Sequence, residues 1–275
     1  MGETFPRKFE SSLNFIVTTS HRTTCVQTET AKQLALMFNV SFAERADMSV
    51  KDLSEKYGVD GLMVVSARRT SYVSGGQEFF FHPGLARLRI KELKNGKADQ
   101  MIKAMSLKQG DSVLDCTMGP GADAIVASYI SGSNGRVTGL EYSPVISVLV
   151  GAGLLTYPED EDIALAMRRI KVINTDYRRY LAGLDPCSYD IIYFDPMFRA
   201  PRHKSPAMNS ARLLANPAPV EVETVELALR AAAKRVVMKE RRGSAEFERL
   251  GFKCIVGGNY APVAYGVRER QGVSD

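Results

Sequence analysis

Residues 112–130 read SVLDCTMGPGADAIVASYI, and the parsing of this stretch decides the fold. Ser112 to Cys116 (SVLDC) is a short, mostly apolar run of the kind that forms a buried strand. Thr117 to Gly121 then places two glycines and a proline in five residues, which ends the strand in a tight turn. From Ala122 to Ser131 small and apolar residues continue as a helix. Strand, glycine-rich turn and helix make the first half of a βαβ unit. Such a turn brings backbone close to a ligand, and the helix that follows offers unpaired N–H groups.

The same rhythm repeats downstream. Strands are expected at RVTGLE (136–141), IKVIN (170–174), YDIIYF (189–194) and RVVMK (235–239), with helices at Pro144 to Leu155 and Val222 to Lys234. Alternation of this kind implies a mostly parallel sheet covered by helices on both faces. CIVGG (254–258) and VAYGVRE (263–269) close the chain as an antiparallel hairpin, giving a seven-stranded Rossmann-like α/β sheet. Upstream, Asn14 to Thr19, Gly61 to Ser66 and Thr70 to Ser74 read as strands. Thr28 to Phe38 and Met48 to Tyr57 read as helices, the second with Ser49 and Asp52 placed as a capping pair. His82-Pro83-Gly84 breaks the pattern, so the expected organisation is a small α/β domain over 1–84 and a larger one over 85–275.

Composition excludes several classes. The four cysteines, Cys25, Cys116, Cys187 and Cys254, form no CxxC pair, and the three histidines are scattered. Neither a disulfide framework nor a metal site is expected. No apolar run reaches the roughly 18 residues that span a bilayer. The N-terminus lacks the charged-then-apolar order of a secretory signal, so a cytoplasmic, membrane-free protein is expected. Up to Gly84 nine basic residues balance nine acidic ones, so the net charge of +5 lies wholly beyond it. That mild excess permits a polyanionic partner without requiring one.

In a sheet of this kind ligands bind beyond the carboxyl ends of the strands. Asp115, Glu141 and Asp176 stand at three of those ends and form an acidic rim. Gly119-x-Gly121-x-x-Ala124 satisfies a relaxed dinucleotide fingerprint, but the carboxylate just before it suits a cation better than a pyrophosphate. Glu141 could hold ribose hydroxyls, and Asp176 could read an adenine edge or merely cap a helix. The rim thus favours a nucleoside carrying positive charge, such as S-adenosylmethionine. At the fourth strand end, Asp195 and the Pro196 carbonyl could both accept from one exocyclic amine, while proline adds no competing N–H. Phe198 could stack on the base that bears the amine, worth about 1–3 kcal/mol. Arg199, Arg202, Lys204 and Arg212 follow without an acidic residue among them, and Lys239 adds charge on the fifth strand. Phosphate contact and a solvated loop are both open readings. His82, Arg87 and Arg89 could cover a ligand or belong to a linker helix.

VLDCTMGPGADA (113–124), EYSPVISVLVGAGL (141–154), YFDPMFRAPRHKSPA (193–207) and RVVMK (235–239) resemble class I S-adenosylmethionine-dependent methyltransferases over about Leu85 to Arg270. More narrowly they are similar to the RsmJ family, bacterial methyltransferases of small-subunit ribosomal RNA, and to a related uncharacterised Firmicutes-type group. FHPGLARLRIKEL (81–93) is similar to the latter group. The resemblance implies methyl transfer to the N2 amine of a guanine in 16S rRNA. It assigns Asp115, Thr117, Gly119, Gly121, Asp123, Glu141, Tyr142, Ser143 and Asp176 to the cofactor, and Asp195, Pro196 and Phe198 to catalysis. Met197, Arg199, Arg202, Lys204 and Lys239 fall to the substrate. Two departures stand out: Thr117 replaces a common glycine, and Met197 replaces the second proline of the usual Asp/Asn-Pro-Pro-aromatic motif. Residues before Gly84 match the RsmJ family poorly and are the candidate substrate-selecting region. The tetrad would equally serve an amine of adenine, a free nucleoside or a protein amide. A non-catalytic RNA-binding protein and an NAD-dependent dehydrogenase are the alternatives of other classes.

Overall fold

The structure is a computed structural model that describes residues 13–196, 214, 216, 218–258 and 261–270. Residues 13–81 belong to one compact unit, and 82–196 with 218–270 to a second.

The first unit is a four-stranded sheet in the order β1 (Phe15–Thr19), β2 (Gly61–Val65), β3 (Thr70–Ser74), β4 (Gln77–Phe80). β1 and β2 run parallel, and the other pairs are antiparallel. Helix α1 (Cys25–Phe38) begins three residues before the sequence expectation, because the Gln27 side chain accepts the Thr24 N–H at 2.8 Å and caps the extra turn. In α2 (Val50–Tyr57) Ser49 and Asp52 cap each other reciprocally: Asp52 N–H donates to Ser49 Oγ and Ser49 N–H to Asp52 Oδ2. Leu53 of that helix is fully buried with Ile16, Leu62 and Val64, which ties it to the sheet.

The second unit opens with α3 (Gly84–Lys94), where a linker helix was one of two readings, and α4 (Gln100–Met105), which was not foreseen as a helix. Its sheet contains β5 (Ser112–Asp115), β6 (Arg136–Glu141), β7 (Lys171–Asn174), β8 (Tyr189–Phe194), β9 (Ala232–Arg241), β10 (Cys254–Val256) and β11 (Val263–Glu269). The spatial order is β10-β11-β9-β8-β5-β6-β7, parallel except at the C-terminal hairpin. Helices α5 (Ala122–Ser131), α6 (Pro144–Thr156), α7 (Glu161–Arg168), α8 (Tyr177–Ala182), α9 (Val222–Ala231) and α10 (Glu246–Arg249) complete it. The seven-stranded Rossmann-like sheet with its antiparallel end is thus as expected. The largest boundary difference in this unit lies before β9. The helix expected to run to Lys234 stops at Ala231, and Ala232 already pairs with Tyr189 of β8. Alanine favours helix by propensity, so here the ladder overrides it.

Strand burial explains the apolar runs. Leu114, Ile192, Phe194 and Val236 are fully buried in one cluster with Leu181, Val225 and Ala228 of α8 and α9. Each large aliphatic side chain buried in this way stabilises the fold by about 1.5–3 kcal/mol. From β5 the chain moves outward to β6 and β7, then returns to place β8 on the other side of β5. The reversal leaves a crevice beyond the carboxyl ends of β5 and β8, where ligands bind in such sheets. Among the described residues no helix is long and apolar enough to cross a membrane.

Candidate active site

Sheet register brings the strand ends level. Asp115 pairs with Gly139 and Tyr193, Glu141 with Asn174, and Phe194 with Met238. The residues just past each end therefore face one crevice.

The loop after β5 is held from several sides. The Thr117 N–H donates to Asp115 Oδ1 at 3.0 Å, and the Met118 N–H to the Leu140 carbonyl at 3.0 Å. Gly119 and Gly121 adopt φ of +50° and +84°, a region that penalises any side chain, so glycine is required to turn the loop into α5. The Gly119 N–H donates to Glu141 Oε2 at 2.9 Å, and the Ser143 N–H to Glu141 Oε1 at 2.7 Å. Glu141 is only 6 % exposed. Burial pushes its carboxyl up to about 7, against the pull of those N–H donors. Asp115 is buried more deeply, and burial followed by the charge of Asp123 raises its carboxyl well above the usual range.

Thr117 departs from the glycine that many related loops carry, and its hydroxyl has a specific task. It accepts the Asp195 N–H at 2.6 Å, tying the turn after β5 to the turn after β8. Asp195 follows directly on β8, and its Oδ2 lies 2.7 Å from Lys239 Nζ. Lys239 also reaches Asp123 Oδ2 at 3.2 Å, and the Tyr193 hydroxyl donates to the same oxygen at 2.8 Å. Asp123 Oδ1 is paired with Arg89, which in turn grips Asp99 through Nε at 2.7 Å and through a second nitrogen at 3.0 Å. Asp99, Arg89, Asp123, Lys239 and Asp195 therefore form an unbroken chain of alternating charge. Burial pushes Asp195 up to about 6, against the pull of Lys239 and with Asp123 adding to the rise. On Asp123 burial acts in the same direction, but Lys239, Arg89 and the Tyr193 hydroxyl outweigh it and hold that carboxyl low. Lys239, desolvated but facing two carboxylates, is held above its ordinary value.

Several residues singled out from sequence are engaged by other protein groups. Lys239, read as charge available to a substrate, is bonded to Asp195 and Asp123. Asp123, read as a cofactor ligand, has both oxygens engaged by protein groups. Ser143 caps α6 through the Ile146 N–H and serves Glu141 with its own backbone. Asp176 caps α8 through the Arg178 N–H and pairs with the Arg178 guanidinium, which holds its carboxyl low. Tyr142 follows Glu141 and is 52 % exposed, so its ring is free to stack. Arg87 pairs with Glu159, and His82 packs its ring against Tyr157. Met197, Phe198, Arg199, Arg202, Lys204 and Arg212 lie outside the described residues. Tyr193 escaped the sequence reading although a usable signal existed: it stands two residues before Asp195 on a strand, hence on the same face.

The donor set suits one ligand type. A buried glutamate with spare lone pairs can accept from paired hydroxyls, and an exposed tyrosine can cover a base. Asp115 and Glu141 form no ion pair among the described residues and burial disfavours their ionised forms, so a cationic group beside them would be welcomed and an anion opposed. A nucleoside bearing positive charge fits; a pyrophosphate would meet carboxylates.

Residues 74–250 match the family described as "Putative SAM-dependent methyltransferase". The chain is 37 % identical over 241 residues to the uncharacterized protein YpiP of Bacillus subtilis, a match covering 87 % of this chain and 94 % of that one. It is 33 % identical over 150 residues to ribosomal RNA small subunit methyltransferase J of Thioalkalivibrio sulfidiphilus. That match covers 52 % of this chain and 57 % of the relative, so the likeness spans little more than half of either. A SAM-dependent methyltransferase structure from Neisseria gonorrhoeae, 19 % identical, covers 94 % of this chain and 97 % of its own length with a TM-score of 0.60, a likeness of fold.

Proposed function

The chain belongs to the SAM-dependent methyltransferase family, and on that premise we propose that it methylates an exocyclic amine of RNA, the N2 amine of a guanine in small-subunit ribosomal RNA. The observation that carries this reading is Asp195. Its carboxylate stands at the end of β8, held by Thr117 through its backbone and by Lys239 through its side chain, beside the acidic rim.

S-adenosylmethionine supplies an electrophilic methyl group on a sulfonium centre. Glu141 accepts from the ribose hydroxyls, and Tyr142 covers the adenine. Asp115 faces the positive charge, with the Gly119–Gly121 turn making room for the methionine end. Asp176, engaged with Arg178, contributes to the adenine end through its backbone and its position. Asp195 and the carbonyl of Pro196 accept from the amine of the target base, which orients the nitrogen lone pair and offsets the positive charge that grows on it. Pro196 offers no N–H to compete. Phe198 and Met197 are assigned to hold the base, and Arg199, Arg202 and Lys204 to contact phosphates. A base within a duplex cannot reach such a site, so the target is unpaired or flipped. Residues 1–84 select the RNA.

Support for RNA comes from the relative named as a ribosomal RNA small subunit methyltransferase and from the basic composition of residues 199–212. The test is to incubate the protein with radiolabelled S-adenosylmethionine and undermethylated small ribosomal subunits, digest the RNA and identify the labelled nucleoside. Labelled N2-methylguanosine is expected. Label in another nucleoside would move the target to that amine. No label in RNA, with cofactor binding intact, would remove RNA as the substrate.

A further inference from the structure

We infer that Asp123 is a positioning residue, clamped by Arg89 and Tyr193, which fixes Lys239 against Asp195 and so sets the charge that Asp195 presents to the amine. The inference rests on the reading of Asp195 as the amine acceptor and assigns Asp123 and Lys239 a role that neither cofactor contact nor phosphate contact describes.

The geometry is specific. Asp123 Oδ2 accepts from both the Tyr193 hydroxyl at 2.8 Å and Lys239 Nζ at 3.2 Å, which fills its two lone pairs. Its Oδ1 is taken by Arg89. The Asp123 side chain is 11 % exposed, so little of it remains to meet a ligand. Arg89 is itself anchored bidentately by Asp99, the N-cap of α4, which also accepts the Met101 and Ile102 N–H groups. Every partner that holds Lys239 is thus held by another. A lysine on a flexible stem is otherwise a mobile point charge, and two carboxylates at hydrogen-bond distance remove that freedom.

The charged and titratable groups facing Asp195 come from every neighbouring strand and helix: Lys239 from β9, Asp123 from α5, Asp115 from β5 and Tyr193 from its own strand. Lys239 favours the carboxylate, whereas Asp123 and Asp115 oppose it. The ionised form of Asp195 leaves both oxygens free of a proton, one for Lys239 and one for an incoming amine, whereas protonation turns one of them into a donor and removes the charge. Removing Lys239 should therefore raise Asp195, whereas Asp123→Asn, which keeps a carbonyl oxygen for Lys239 but loses the opposing charge, should lower it. A purely structural role for the pair would weaken the protein in both variants and separate them in neither direction.

The test follows the Asp195 carboxyl directly. Protein carrying ¹³C-labelled aspartate is titrated by NMR without added cofactor or RNA, and the Asp195 signal is identified by its absence in Asp195→Asn. The Asp195 midpoint should rise by about 1–3 pH units in Lys239→Met and fall by about one unit in Asp123→Asn. Lys239→Arg, which keeps the charge, should stay near wild type and guards against a folding defect in the Met variant. In methyl transfer the acid limb of the pH–rate profile should follow the same order. Unmoved midpoints, or shifts of the same sign in both variants, would overturn the inference. Opposite shifts in a protein that labels no RNA would uphold the relay and remove only the RNA reading.

Discussion

Replacing Glu141 by Gln should remove a pH dependence from the stability of the ligand-free protein while weakening its hold on S-adenosylmethionine. The carboxylate is 6 % exposed and accepts one N–H on each oxygen, from Gly119 and Ser143. Those two bonds fall short of replacing its lost hydration, and burial lifts the folded value to about 7 from an ordinary 4.5. Between those two values the folded state binds more protons than the unfolded state, so stability falls as pH rises through that window and levels off above it. The full difference corresponds to about 3 kcal/mol at roughly 1.36 kcal/mol per unit. Glutamine is neutral at every pH, but its Nε2 donates and cannot accept, so one of the two N–H groups loses its bond at a cost of about 1–3 kcal/mol. Urea unfolding without cofactor should show the variant behind wild type by about 1–3 kcal/mol at pH 5, with the gap moved in the variant's favour by about 3 kcal/mol at pH 8.5. Adding S-adenosylhomocysteine should shift the balance toward wild type at both pH values, because a ligand stabilises in proportion to its affinity and the variant has lost an acceptor for ribose. A gap between variant and wild type that ignores pH would refute the reasoning.

Asp195→Ala should abolish methyl transfer yet leave cofactor affinity within a few fold by calorimetry; a fully active variant would sink the proposed mechanism. Thr117→Val keeps the shape but removes the acceptor for the Asp195 N–H, bonded at 2.6 Å. The lost bond corresponds to about 1–3 kcal/mol, and it should lower kcat while the KM for cofactor holds. Ser49→Ala removes the hydroxyl that accepts the Asp52 N–H and should destabilise the N-terminal unit by about 1 kcal/mol in denaturant melts, with cofactor affinity unchanged by calorimetry.

What could be read without coordinates was whatever is local to one strand and its turn. SVLDC followed by Gly119 and Gly121 announces a strand, a turn and a helix within about twenty residues, and Glu141 and Asp195 announce themselves by ending apolar runs. Helices α4 and α7 went unread, and α3 and α8 were legible only as one of two readings of their segments, because they are short or charged and tertiary packing rather than a long apolar period holds them. The ion-pair chain was illegible for another reason. Lys239 stands 44 residues beyond Asp195 and 116 beyond Asp123. Alternating strands and helices do imply that β8 and β9 lie side by side, but they leave the register open, and a slip of one residue would turn Lys239 to the other face of the sheet. The observed ladder pairs Phe194 with Met238. One step further, Asp195 stands level with Lys239, and the contact follows from that register alone. With Lys239 bound to Asp195, positive charge for phosphate must come from elsewhere, and the acidic crevice keeps its preference for a cationic ligand. The same lysine that the sequence offers to a substrate is, in the fold, the counter-charge that allows a half-buried aspartate to meet one.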